Sequence, residues 1–192
     1  MRNRTMKVFI FGTALLLASA LPAAAQTLGA GVSFLGDEGG TGITVDYSKD
    51  FRELAKEKML GWVGELSFHH KGFEGGGFNS LFLQGGLRVG GPAAEKLRWH
   101  AQGLVGLRRA SASGDAGDLI DGLNDLCNEL DLACEIDSSD TGLIFTPGVG
   151  IDYAFKPNMN LRAQFDLPIA LGDGGGSTTR FWIGLSWLLK NR

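Results

Sequence analysis

Three observations predict an all-β chain folded as an eight-stranded antiparallel up-and-down transmembrane β-barrel. Apolar and polar residues alternate with a period of two over eight separate segments. Thirty glycines stand against five prolines, a balance suited to strands joined by tight turns. Beyond Ala25 no stretch is apolar for the ~20 residues that a membrane helix needs, and only helices and closed barrels satisfy every backbone N–H and C=O in lipid.

The N-terminus is read as an export signal. Met1 to Lys7 carries three positive charges, Val8 to Leu21 is an almost unbroken apolar run, and Ala23-Ala24-Ala25 offers small residues for cleavage before Gln26. Residues 1–25 are therefore expected to be a signal peptide and residues 26–192 a single barrel domain. Removing Arg2, Arg4 and Lys7 from 18 basic residues leaves 15 against 21 acidic ones, a formal charge of −6. That balance excludes nucleic acid as a natural partner.

The strands follow in order. Leu28, Ala30, Val32 and Phe34 alternate with Gly29, Gly31 and Ser33; Ile43, Val45 and Tyr47 alternate with Thr44, Asp46 and Ser48. Trp62, Gly64, Leu66 and Phe68 stand against Glu65, Ser67 and His69, and Leu81, Leu83, Leu87 and Val89 against Ser80, Phe82, Gln84 and Arg88. Leu97, Trp99, Ala101, Val105 and Leu107 alternate with Arg98, His100, Gln102, Leu104 and Arg108. Leu143, Phe145, Val149, Ile151 and Tyr153 alternate with Ile144, Thr146, Gly148, Gly150 and Asp152. The seventh segment, Asn160 to Leu171, sets Leu161, Phe165 and Leu167 against Arg162, Gln164 and Asp166. The last sets Phe181, Ile183, Leu185, Trp187 and Leu189 against Arg180, Trp182 and Ser186.

Alternation alone leaves open whether the apolar face meets a core or lipid, so a soluble lipocalin-like binding barrel is the alternative. The other face favours the membrane reading, because it carries Gly, Ser, Gln, Arg and Asp where a soluble barrel would present Lys, Glu and Thr to water. Asp46, Glu65, Asp152 and Asp166, with Arg88, Arg98, Arg162 and Arg180, are expected to point inward and fill the lumen with pairwise salt bridges. Trp62, Trp99, Tyr153 and Trp187 fall on the apolar face near strand ends, where interfacial girdles sit.

With the N-terminus in the periplasm, the long connection from about Arg109 to Asp140 lies outside the cell. It holds nine acidic residues between Asp115 and Asp140 and the only cysteines, Cys127 and Cys134, which in an exported protein read as one disulfide. Closing so small a ring stabilises the loop by about 2.5 kcal/mol. Leu119, Leu123, Leu126 and Leu130 recur at helical spacing. Asp115, Asp118 and Asp121 miss the EF-hand pattern, and no metal or cofactor site is assigned. The connection Ser48 to Met59 is long and charged for a periplasmic turn; either the strands extend into it or it forms a short helix.

The export signal, the alternating strands and phrases such as Thr146-Pro-Gly-Val-Gly-Ile-Asp-Tyr153 resemble the small outer-membrane barrel families typified by the membrane domain of OmpA, by OmpX and by the opacity-type proteins. The resemblance covers the whole chain after residue 25. It implies residence in the outer membrane among lipid and lipopolysaccharide, and insertion by the outer-membrane assembly machinery. That machinery reads a final strand ending in an aromatic residue, whereas this chain ends Trp187-Leu-Leu-Lys-Asn-Arg192.

On this reading the chain is a monomeric structural or surface-interaction barrel, with any extracellular ligand met at loop 109–140, and no catalytic residue is assigned. Two alternatives belong to other classes. Some small barrels modify lipid A with a serine beside a histidine base, but Ser67-Phe-His69 reverses the His-x-Ser order of the lipid A deacylase. A small-solute porin would need space that an eight-stranded lumen lacks.

Overall fold

The computed structural model describes residues 26–36, 40–55, 57–74, 76–114, 139–172 and 176–189. The proposed signal segment, Cys127, Cys134, the Asp115–Asp118–Asp121 cluster and the helical spacing of Leu119 to Leu130 lie outside them. The strands are β1 (Gln26–Leu35), β2 (Thr41–Ala55), β3 (Lys58–Phe73), β4 (Gly76–Ala94), β5 (Leu97–Gly114), β6 (Ser139–Lys156), β7 (Met159–Asp166), β8 (Ile169–Leu171) and β9 (Arg180–Leu189). No helix occurs among the described residues.

Each strand pairs antiparallel with its neighbour, and β1 pairs both β2 and β9, so the sheet closes. β7 and β8 both pair with β6 and form one wall element, which makes eight staves from nine strands. The seventh stave breaks at Leu167-Pro168, where the alternation predicts a continuous strand. Pro168 has no N–H to give to the ladder. Flanking bonds bridge the break: Leu167 donates to the Pro147 carbonyl at 2.9 Å and Thr178 to that of Pro168 at 3.0 Å.

The start of β1 and the end of β9 lie at one end, here the terminal rim; β1 ends and β2 begins, β3 ends and β4 begins, β5 ends and β6 begins, and β8 ends and β9 begins at the opposite end, the loop rim. At the terminal rim the connections are short, as at Pro157-Asn158. Of the two conformations open to Ser48–Met59, extended strands win: β2 runs to Ala55 and β3 starts at Lys58, around a turn in which Glu57 has φ 65°.

Strands β2 to β6 are 15 to 19 residues long, against the ~9–11 that cross a bilayer. The wall therefore extends beyond any apolar belt. That belt is explicit: Leu87 is 55% exposed, Phe165 47% and Ile183 42%, whereas Arg162 is 3% exposed and Asp166 is fully buried. The grease is outside and the charge inside, the reverse of a soluble barrel.

Tryptophan and tyrosine distribute unevenly. Tyr47, Trp62, Trp99, Tyr153 and Trp187 all lie on the outer face towards the terminal rim, with Tyr47 and Trp62 in contact at 5.2 Å between centroids. The sixth, Trp182, is buried in the lumen. The sequence contains four Trp and two Tyr, so the loop rim has neither and presents Phe34, Phe68 and Phe181 instead.

Candidate functional site

Period two sends one side chain in each pair into the lumen. Along β3 these are Val63, Glu65, Ser67 and His69; along β7, Asn160, Arg162, Gln164 and Asp166. Asp46 and Glu65 stand directly opposite each other in the β2–β3 ladder. Two like charges there would repel unless arginines from elsewhere reach them.

Three arginines do. Arg162 donates through Nε and Nη2 to Asp152 at 2.6 and 3.2 Å and through Nη1 to Asp46 at 2.7 Å. Arg88 Nη2 lies 2.8 Å from the same Asp46 oxygen. Arg180 Nη2 lies 2.6 Å from Glu65 and 2.7 Å from Asp166, and its Nη1 donates to Ser67 at 2.9 Å. Glutamines link the clusters: Arg88 donates to Gln102 Oε1 at 2.7 Å, and Gln102 Nε2 donates to Asp166 at 3.3 Å. His100 Nε2 meets Gln164 Oε1 at 3.0 Å, and Gln164 donates to Asp166. The result is one connected network from Asp152 to Glu65.

The arrangement differs from a set of separate pairs. Asp46, Arg162 and Arg180 each serve two partners of opposite charge, because a guanidinium carries five donors in a fork and a carboxylate about four lone-pair sites, so neither is saturated by one counterpart. Arg98 is also corrected: although it faces Asp152 in the β5–β6 register, it is exposed. It is the second residue of β5 at the terminal rim, where water solvates the charge without the cost of burial. Asp152 is taken by Arg162.

Glycines make the space. A Cβ on Gly29 would overlap the Asp46 carboxylate, one on Gly148 that of Asp166, and one on Gly150 the His100 ring. The phrase Pro147-Gly-Val-Gly150 thus records two lumen seats on β6.

Above the network, towards the loop rim, Leu35, Phe82 and Ile144 form an apolar layer. Phe82 is flanked by the guanidinium carbons of Arg108 and Arg180 at 5.8 and 5.9 Å from its centroid. On the same level Ser33, Gly42, His69, Ser80 and Ala110 follow one another across five staves. Gly42 has no side chain, so His69 reaches across it and its Nε2 meets Ser33 Oγ at 2.8 Å; Thr44 donates to Ser33 at 3.0 Å. The serine beside His69 is therefore Ser33, while Ser67 is bound to Arg180. The signal was present in the inward parity shared by Ser33, Thr44 and His69, but the sequence does not give the strand register that brings Ser33 and His69 to one level.

Ser33 is fully buried, and among the described residues His69 Nδ1 has no hydrogen-bond partner. A nucleophile needs an approach for substrate and a base that is itself oriented; this pair offers neither. Among the described residues no group of His, Cys, Asp and Glu could hold a metal ion.

No protein-family model matches the chain, and no curated protein matches it. Solved structures do. The chain is similar to a major outer membrane protein from Thermus thermophilus, with 13% identity, 87% of this chain and 100% of that one covered, and a TM-score of 0.55. It is similar to Ail, the attachment invasion locus protein of Yersinia pestis, at 15% identity over 86% of this chain and 97% of that one, TM-score 0.53. It is also similar to the outer membrane enzyme PagL, at 13% identity over 85% and 99%, TM-score 0.51. The fold is that of the small eight-stranded outer-membrane barrels.

Proposed function

We propose that this chain is an integral outer-membrane barrel with a closed lumen, a rigid scaffold whose external loops carry its interactions. The observation that carries the reading is the inversion of faces: an apolar belt outside, and inside a network from Asp152 through Arg162, Asp46, Arg88 and Asp166 to Glu65 that occupies the lumen. The outer-membrane barrels that share the fold support the location. Residues 1–25 act as the export signal, the loop rim faces outward, and Cys127 and Cys134 form a disulfide in the long acidic loop.

A lipocalin-like binding barrel would need the faces exchanged. A porin would need the network absent. Similarity to an enzyme adds no catalytic reading here, since Ser33 is sealed and His69 lacks an orienting carboxylate among the described residues.

The test combines membrane fractionation with a heat-dependent gel shift and planar-bilayer recording. The protein is expected in the outer-membrane fraction, migrating faster unheated than boiled, with no steady current. Recovery in the soluble fraction would overturn the location; steady single-protein conductance would overturn the closed lumen.

A further inference from the structure

The outer wall is not evenly filled. In the ladders of β5, β6 and β7, Trp99, Ile151 and Ala163 form one outward row, and Ala101, Val149 and Phe165 form the next row towards the loop rim. Each row holds one alanine among larger side chains, and Phe181 flanks Phe165 on β9. The result is a groove of about 470 Å³ on the outer face, bounded by Trp99, Ala101, Ile151, Ala163, Phe165 and Phe181. His100 and Gln164 also border it, but their side chains meet each other in the lumen at 3.0 Å. The side chains turned to the groove are aliphatic or aromatic, and it is continuous with the apolar belt to which Val149, Ile151 and Phe165 belong.

One end of the groove leads to positive charge. Along β6 the outward residues Val149, Ile151, Tyr153 and Phe155 are followed by Lys156, exposed at the terminal rim. Ala154 N donates to the Lys96 carbonyl at 2.8 Å, which brings the β4–β5 turn and its exposed Lys96 to the same corner. Within residues 92–99 and 153–161 the basic residues are Lys96, Arg98 and Lys156, and the one acid is Glu95. Lys156 lies about 16 Å along the strand from Ile151 at ~3.3 Å per residue, which on a strand tilted by about 40° is about 13 Å in depth. Half of the hydrocarbon core measures about 15 Å. A hydrocarbon chain in the groove therefore has its headgroup at the level of the two lysines.

We propose that the groove and the lysine corner together seat one anionic phospholipid, with an acyl chain between Trp99 and Phe165 and its charged headgroup against Lys96 and Lys156. The groove recognises only hydrocarbon, so the choice among lipids comes from the two ammonium groups, which favour an anionic headgroup over a zwitterionic one. The site rests on the reading of the chain as an outer-membrane barrel with the terminal rim in the periplasm, which assigns the lipid to the leaflet on that side.

The test uses the whole barrel in phosphatidylcholine vesicles, with Trp62, Trp182 and Trp187 replaced by phenylalanine so that Trp99 alone reports. Phosphatidylglycerol or phosphatidylcholine brominated on its acyl chains is added in increasing mole fraction. Quenching of Trp99 is expected to be half complete at a mole fraction roughly fivefold lower for the brominated phosphatidylglycerol. Lys96→Gln combined with Lys156→Gln should bring the two curves together, and so should Ala163→Phe, which fills the groove from the outer face. Lys71→Gln at the loop rim should leave them apart. Coincident curves in the parent, or an advantage indifferent to either the lysine pair or Ala163→Phe, overturns the proposal. A Trp99 that neither lipid quenches means that a second copy or another protein covers the groove, and overturns it as well. Should the triple replacement fail to give the heat-dependent gel shift, spin-labelled forms of the same two lipids read the ratio on the unaltered protein, as the fraction of immobilised label. The gel shift is run on every sample, so that a protein that forms no membrane barrel counts against the function, and a folded barrel without lipid preference counts only against the site.

Discussion

Arg162 and Asp46 lie 116 positions apart in the chain and 2.7 Å apart in the lumen, where each is also bound by a second partner of opposite charge. Charge buried on this scale is tolerated only because every member of the set is answered.

Removing Arg162 should therefore be among the costliest changes in the protein. Arg162→Met leaves Asp152 and Asp46 short of a cation and is expected to destabilise the barrel by about 3–5 kcal/mol. Arg98→Gln, exposed at the terminal rim, should stay within about 0.5 kcal/mol of the parent. Urea unfolding in lipid vesicles, followed by the gel shift, measures both; equal effects would remove Arg162 from its central place.

Glycine seats make a second contrast. Gly148→Ala drives a methyl group into the Asp166 carboxylate and should cost about 1–3 kcal/mol, whereas Gly64 has open space around its Cβ position and Gly64→Ala should be neutral or better. Thermal midpoints in micelles distinguish them.

The asymmetric girdle predicts the depth of the tryptophans. Variants keeping only Trp62, Trp99 or Trp187 should be quenched most by lipids brominated near the headgroup in the leaflet at the terminal rim. A protein keeping only Trp182 should resist both lipid-borne and aqueous quenchers, as its ring lies in the lumen with Arg162 at 5.8 Å from its centroid. Strong quenching of Trp182 by acrylamide would mean that water reaches the network.

The cysteines provide a fourth. Thiol counting on the unfolded protein should find no free thiol before reduction and two after. Two free thiols at the outset would leave the acidic loop without its closure.

Most of the wall was legible because period two survives in the sequence wherever lipid-facing and lumen-facing residues alternate; the apolar set around Phe165 and the inward parity of Asp46, Glu65, Arg88, Asp152, Arg162, Asp166 and Arg180 follow from it. Partnership was not legible. Asp152 has an arginine opposite it in each neighbouring ladder, Arg98 on β5 and Arg162 on β7, and only Arg162 pairs with it; the reach of Arg162 across the lumen to Asp46 depends on how strands far apart in sequence stack around the ring. The Ser33–His69 contact was missed for the same reason: Ser33, Gly42 and His69 form a row only once β1, β2 and β3 are in register. The break at Pro168 carried a local signal, its missing N–H, which the regular alternation on either side outweighed.

The measurement that tests the central claim most directly is an accessibility scan of β7. In a background with Cys127 and Cys134 replaced by serine, single nitroxide labels are placed in turn from Leu161 to Asp166 in vesicles, and relaxation by lipid-soluble oxygen is compared with that by a water-soluble metal complex. Oxygen contact is expected to be high at Leu161, Ala163 and Phe165 and low at Arg162, Gln164 and Asp166. Oxygen contact that is uniform along the strand, or high at Gln164 and Asp166, would mean that these residues do not face a closed lumen and that the barrel does not sit in lipid as described.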